Sequence, residues 1–171
     1  ANSPAGPPSG GASIAAELYQ RANAMRAAAY DPASGQLDYA GLAGSLLFAE
    51  YGAYTQRLPG FDPADLTTRT ERLAFWINLY NALVIDAVIA FSVRGSVQNT
   101  RGFFWRAAYT VGGRRYALHD IEHGLLRANA PYPALPGPHF AQPDHGGPQT
   151  LARILSVPFA IESVAGYDSV L

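Results

Sequence analysis

The chain has 171 residues, 49% of them hydrophobic, with a formal net charge of −1 and only 15% charged side chains. That balance fits one domain with a single core, and no basic excess points to nucleic acid as a partner. No cysteine is present, which excludes disulfides, thiolate metal sites and cysteine nucleophiles.

The chain begins at Ala1 instead of Met and is rich in Pro, Gly and Ser up to Ala12. Residues 1–12 therefore read as a flexible leader, in keeping with a processed and exported protein, and 13–171 as a single domain. Ser13 is the expected cap of a first helix in which Ile14, Leu18, Ala22 and Met25 recur at helical spacing, closed by Asp31-Pro32. A second helix is expected from about Asp38 to Gln56, with Leu42, Leu46, Ala49 and Ala53 on one stripe and Leu58-Pro59-Gly60 at its end.

Thr68 and Glu71 form a capping-box pattern ahead of the most informative stretch, Ala-Phe-Trp-Ile-Asn-Leu-Tyr-Asn-Ala at 74–82. The apolar run continues to about Phe91 and approaches the length of a membrane span. Asn78, Asn81 and Asp86 interrupt it, and an Asp near mid-bilayer costs ~2.5–3.5 kcal/mol. The expectation is a buried core helix and no transmembrane segment.

Gly112-Gly113 then marks a hairpin of roughly 104–111 with 114–118, because both glycines tolerate positive φ. A short helix should follow, with Asp120 near its start and Ile121 and Leu125 on its buried edge. Six prolines between 131 and 148 exclude regular structure there. Gln149 to Leu155 reads as helix and Val157 to Val164 as strand. The fold class is α+β: a helical N-terminal half with a buried central helix, a β-hairpin, a short helix and an irregular Pro-rich C-terminal part.

Asn78 and Asn81 project from the same side of the central helix, and a buried amide without a partner costs about 1–3 kcal/mol. Either they brace a neighbouring segment, or they line a polar cleft and orient a substrate carbonyl. His123, with an unperturbed pKa of ~6.5, is a candidate general base or a hydrogen-bond bracket. Glu122 is adjacent, about 100° away on an α-helix, so it can orient the imidazole only across a bend or from a neighbouring segment. Arg127 lies four residues beyond His123 and five beyond Glu122.

His119-Asp120-Ile121-Glu122-His123 also matches the His-x-x-Glu-His pattern of inverted zinc peptidases. A third ligand would then be needed, with Glu162 the carboxylate candidate and Asp144 and His145 as loop alternatives. Zinc is therefore the alternative to no cofactor. The aromatic group Phe103, Phe104, Trp105, Tyr109 and Tyr116 reads as a ligand wall or as hairpin packing.

Trp-Ile-Asn-Leu-Tyr-Asn at 76–81 followed by Asp-Ile-Glu-His-Gly-Leu-Leu-Arg at 120–127 resembles the bacterial and plant family known as domain of unknown function 547, over roughly residues 37–130. The resemblance implies an α+β domain in which the first motif is the central helix and a hairpin leads into the second. It also implies kinship with papain- or transglutaminase-like thiol enzymes. The matching residues are Phe75, Trp76, Asn78, Tyr80, Asn81, Asp120, Glu122, His123, Gly124 and Arg127. Family members continue into a His-Phe-Ala segment and a cysteine-containing stretch. Here His139-Phe140-Ala141 is followed by Gln142-Pro143-Asp144 and no cysteine, so 131–171 reads as divergent or truncated and a thiol-dependent activity is excluded.

The reading that follows is a non-catalytic or residual binding and scaffolding module with a protein or peptide partner. The competing readings are a hydrolase or acyl transferase and a zinc hydrolase. The expected site is His123, Glu122, Asn78 and Asn81 as the chemical groups, with Trp76, Tyr80 and Arg127 binding the ligand. The zinc reading replaces these with His119, His123 and Glu162.

Overall fold

A computed structural model describes residues 10–127 and 129. They form an α+β fold, mostly helical, with two small antiparallel hairpins. The expected elements at 131–148, 149–155 and 157–164, and with them Glu162, Asp144 and His145, lie outside the described residues.

Helix α1 spans Gly10–Ala29 and so begins inside the expected leader. Ser13 is not its cap: its hydroxyl donates to Glu17 one turn on, at 3.4 Å. Leu18, Ala22 and Met25 are buried as their spacing demands. The chain leaves α1 through a small hairpin, β1 (Tyr30–Asp31) and β2 (Gln36–Leu37), which the Asp31-Pro32 stop signal did not reveal. Asp31 closes its turn by accepting from the Ala33 amide and the Ser34 hydroxyl.

The expected helix at 38–56 is two helices, α2 (Tyr39–Ala43) and α3 (Leu46–Thr55). Asp38 caps the first, and Ser45 caps the second by accepting from the Phe48 amide. The break at Gly44-Ser45 resets the helical phase. Leu46, expected in the core, is 73% exposed, while Tyr51 and Tyr54 are buried in its place.

Helix α4 (Arg69–Ala90) carries the Thr68/Glu71 capping box in full. It is the packing centre of the molecule: α1 forms the largest helix–helix interface with it, and α2 and the segment at 120–126 cover other parts of its surface. Its length and apolarity suffice to cross a membrane, yet half of its most apolar window is buried inside the protein. Phe75, Trp76 and Leu79 are fully enclosed, each contributing about 1.5–3 kcal/mol of apolar burial. Phe61, Phe75, Trp76 and Tyr116 run as consecutive ring contacts with centroids 4.9–5.2 Å apart.

The second hairpin is shorter than expected, β3 (Ala108–Val111) with β4 (Arg114–Ala117), and pairs Tyr109 with Tyr116. Phe103–Arg106 is a short helix, α5, instead of strand. Gly102 at φ +71° turns the chain into it, and the ring of Phe103 packs edge-on against Phe91 at the end of α4. Gly112 and Gly113 both adopt positive φ, as the turn requires. Their amides donate to the Leu58 and Pro59 carbonyls at 3.1 and 2.9 Å, so the hairpin tip is fastened to the Leu-Pro-Gly turn after α3.

The two glycines differ in surroundings. A Cβ on Gly112 would stand 3.0 Å from the Phe61 carbonyl oxygen, whereas one on Gly113 meets nothing within 4 Å. Gly113→Ala is therefore expected to cost about 1–2 kcal/mol of left-handed strain, and Gly112→Ala about 1–2 kcal/mol more for the displaced turn. Urea unfolding of the two variants checks the order.

Candidate functional site

Residues 120–126 wind as a π-helix, Asp120–Leu126. Its amides reach back five residues, Arg127 to the Glu122 carbonyl at 2.8 Å and Asn129 to the Gly124 carbonyl at 3.0 Å. Ile121 and Leu125 are buried beneath it as expected. Asp120 fixes its entry by accepting from the Ala117 amide at 2.8 Å.

The wider winding revises the geometry expected of Glu122 and His123. Each residue turns through less than the 100° of an α-helix, and positions five apart come into line. Glu122 Oε1 consequently lies 3.7 Å from His123 Nε2 and 3.8 Å from Arg127 Nη1. No bend or neighbouring segment is needed to bring the carboxylate to the imidazole. The other oxygen, Oε2, accepts from the Tyr80 hydroxyl at 3.4 Å. The contact joins the two sequence motifs and fixes the π-helix over α4.

Glu122, His123, Arg127 and Tyr80 thus meet around one carboxylate. His123 is buried, Glu122 is partly accessible, and the Arg127 side chain is 45% exposed, so the cluster grades from core to surface. Asn78 and Asn81 lie on α4 on either side of Tyr80 in sequence. Both are half-buried, not carried into the core as expected. Trp76 has no exposed surface and sits between Phe75 and Tyr116.

His119 is separate. Its ring lies 3.5 Å from that of Trp105, with Nδ1 at 3.3 Å from the Phe104 carbonyl and Nε2 at 3.4 Å from Asp120 Oδ1. Among the described residues no group of three or more His, Asp and Glu side chains is disposed to hold a metal ion. The expected aromatic wall is divided: Phe103 to Trp105 belong to α5, whereas Tyr109 and Tyr116 reach toward α4.

Sequence reasoning missed a second polar cluster. The Tyr51 hydroxyl donates to that of Tyr109 at 3.0 Å, and the Tyr109 hydroxyl donates through a short hydrogen bond to Asp86 of α4. Burial pushes both phenols well above their ordinary range, and the nearby Asp86 charge adds to this. Tyr54 is likewise raised by burial. The signal was present in Asp86 itself: an acid in an apolar helix needs donors, and tyrosine supplies them to a core.

A family model described as "Protein of unknown function, DUF547" matches residues 63–156, more than half of the chain. The chain belongs to that family. The match begins later than the resemblance read from the motifs and extends further, through the Pro-rich segment. No curated protein and no solved structure matches.

Tyr109→Phe removes the donor to Asp86 and the acceptor for Tyr51. It is expected to cost about 2–3 kcal/mol in urea unfolding, while Tyr109→Phe with Asp86→Leu should recover part of that loss, because the orphaned acid is gone.

Alkaline pH gives a second test. Below about pH 10 these tyrosines are neutral whether the chain is folded or not. Above it the unfolded chain releases phenol protons that the native state retains. For Tyr51 and Tyr54, both buried, stability should fall by about 1.4 kcal/mol per pH unit for each. The chain has no lysine, so no ammonium titration overlaps this window. The share of tyrosinate absorbance that comes from the buried phenols should appear together with loss of helical circular dichroism.

Proposed function

We propose that this protein is a non-catalytic binding module that uses the Glu122 cluster to take a protein or peptide segment. Arg127 and His123 present hydrogen-bond donors, and Asn78 and Asn81 supply amides from α4. The reading is carried by the state of the Glu122 carboxylate, whose oxygens already face Tyr80, His123 and Arg127. A carboxylate so engaged is suited to holding donors in place.

One observation favours a second reading. A carboxylate 3.7 Å from an imidazole is the beginning of an oriented base. If that contact tightens on binding, His123 becomes the base of a hydrolase or acyl transferase, with Asn78 and Asn81 as positioning amides.

Two measurements separate the readings. The purified protein is screened against a peptide library for binding and against ester, amide and peptide substrates for turnover. Binding without turnover is expected, weakened on the order of 10- to 100-fold by Arg127→Gln through loss of a charged hydrogen bond. Turnover abolished by His123→Ala overturns the binding reading in favour of the enzyme.

A further inference from the structure

The net charge of −1 hides a division along the chain. Residues 87–119 contain Arg94, Arg101, Arg106, Arg114 and Arg115 and no aspartate or glutamate, so the remainder of the chain carries a net −6. All five arginines are exposed. They sit on the loop that follows α4, on α5 and on the turn of the β3–β4 hairpin.

Contacts bring α5, the end of the loop before it and Arg115 of β4 together, whereas Arg114 shares the opposite face of the hairpin with Tyr116. The Arg106 guanidinium lies 4.7 Å over the ring of Phe91 at the end of α4. Its stem folds back over Gly102, next to Arg101, so closely that a Cβ there would stand 3.3 Å from the Arg106 Cδ. Arg115 Nη2 donates to the Trp105 carbonyl at 2.8 Å and stands 3.4 Å from that of Arg106. Trp105, 41% exposed, thus has the Arg115 guanidinium on its carbonyl and Arg106 as its chain neighbour. Of the acids bordering this stretch, Asp86 accepts from Tyr109 and Asp120 is turned to the Ala117 amide and His119, while Asp62 lies beside the hairpin tip at Gly112.

We infer that this face is a docking surface for an anionic phospholipid bilayer, with Arg94, Arg101, Arg106 and Arg115 meeting headgroup phosphates and Trp105 entering the interfacial layer. Clusters of about four to eight basic residues suffice for attraction to anionic lipid, and tryptophan favours the boundary between headgroups and acyl chains. Guanidinium also pairs with phosphate through two parallel donors. Single-stranded nucleic acid fits less well, since it uses successive aromatic platforms for successive bases. Among the described residues Trp105 is the large exposed aromatic on this face; Tyr19 and Tyr30 belong to α1 and β1. A plane of phosphates also accepts charges from three separate elements without demanding a fixed register.

The test is co-sedimentation of the whole protein with phosphatidylcholine vesicles containing roughly one phosphatidylglycerol in three, at about 0.1 M salt. Binding to these and not to pure phosphatidylcholine is expected, lost at about 0.5 M salt. Arg94 and Arg101 have the least part in packing, so Arg101→Gln should weaken partitioning on the order of fivefold and Arg94→Gln/Arg101→Gln on the order of 25-fold, with the melting temperature unchanged. Arg26→Gln on α1 removes the same charge from another face and should have little effect. Trp105→Ala should weaken partitioning and remove a blue shift of tryptophan fluorescence seen with anionic vesicles. The inference is overturned by no sedimentation, by equal sedimentation with neutral vesicles, by equal losses for Arg26→Gln and Arg101→Gln, or by an oligonucleotide that displaces the vesicles.

Discussion

Burial of α4 is the constraint on which the rest of this structure depends. A helix apolar around most of its circumference must be covered from several directions, and here each neighbour supplies one part of the cover. Helix α1 brings Leu18 and Met25, the hairpin brings Tyr116 against Trp76, and the π-helix brings Ile121 and Leu125. Covering α4 also obliges the fold to answer its polar side chains. Asp86 receives Tyr109, and Tyr80 receives Glu122. The candidate site is one of these answers: a polar group on the core helix meets a polar group on the element laid over it.

The π-helix is what turns that contact into a cluster. In an α-helix, Glu122 would align with residues three and four positions on, and Arg127 would fall off its face. One added residue per hydrogen-bonded ring brings Arg127 over Glu122 and closes the angle to His123. Such winding is uncommon and is concentrated at functional sites. Its entry is fixed by Asp120, which ties the hairpin's last strand to the first turn. Hairpin, π-helix and α4 therefore hold the cluster as a closed set of three elements, although only the two motifs on α4 and the π-helix contribute groups to it.

These elements explain which features were legible in the sequence. The capping box, the buried central helix, the Gly-Gly turn and the Ile121/Leu125 edge follow from local chemistry and periodicity, and all are present in the fold. The second helix misled because Ser45 is an ordinary residue in a helical window until its hydroxyl caps a new one. Once it does, the phase of every later side chain shifts, and Leu46 moves from core to surface. The π-helix misled for a different reason. Its hydrogen-bond register is decided by packing on α4 and not by the residues' own preferences, so an α-helical wheel placed Glu122 and His123 apart. The Tyr51–Tyr109–Asp86 relay joins three distant segments, and no window along the chain contains all of its members.

Arginine has more than one task in a chain without lysine. Arg21 and Arg57 both lie over the ring of Tyr54 and share Glu17, which the hydrogen bond from Arg57, and then the two charges, hold below the usual carboxylate range. There the charge is neutralised and the planar groups serve as packing surface between α1 and α3. Arg106 uses Phe91 in the same stacked manner, but no acid occurs in its stretch of chain from residue 87 to 119. The stacking holds its stem and leaves its charge uncompensated by sequence neighbours. Local arrangement and total charge are thus separate properties of this molecule: a near-neutral sum follows from an acidic remainder, while residues 87–119 carry five arginines and no acid of their own.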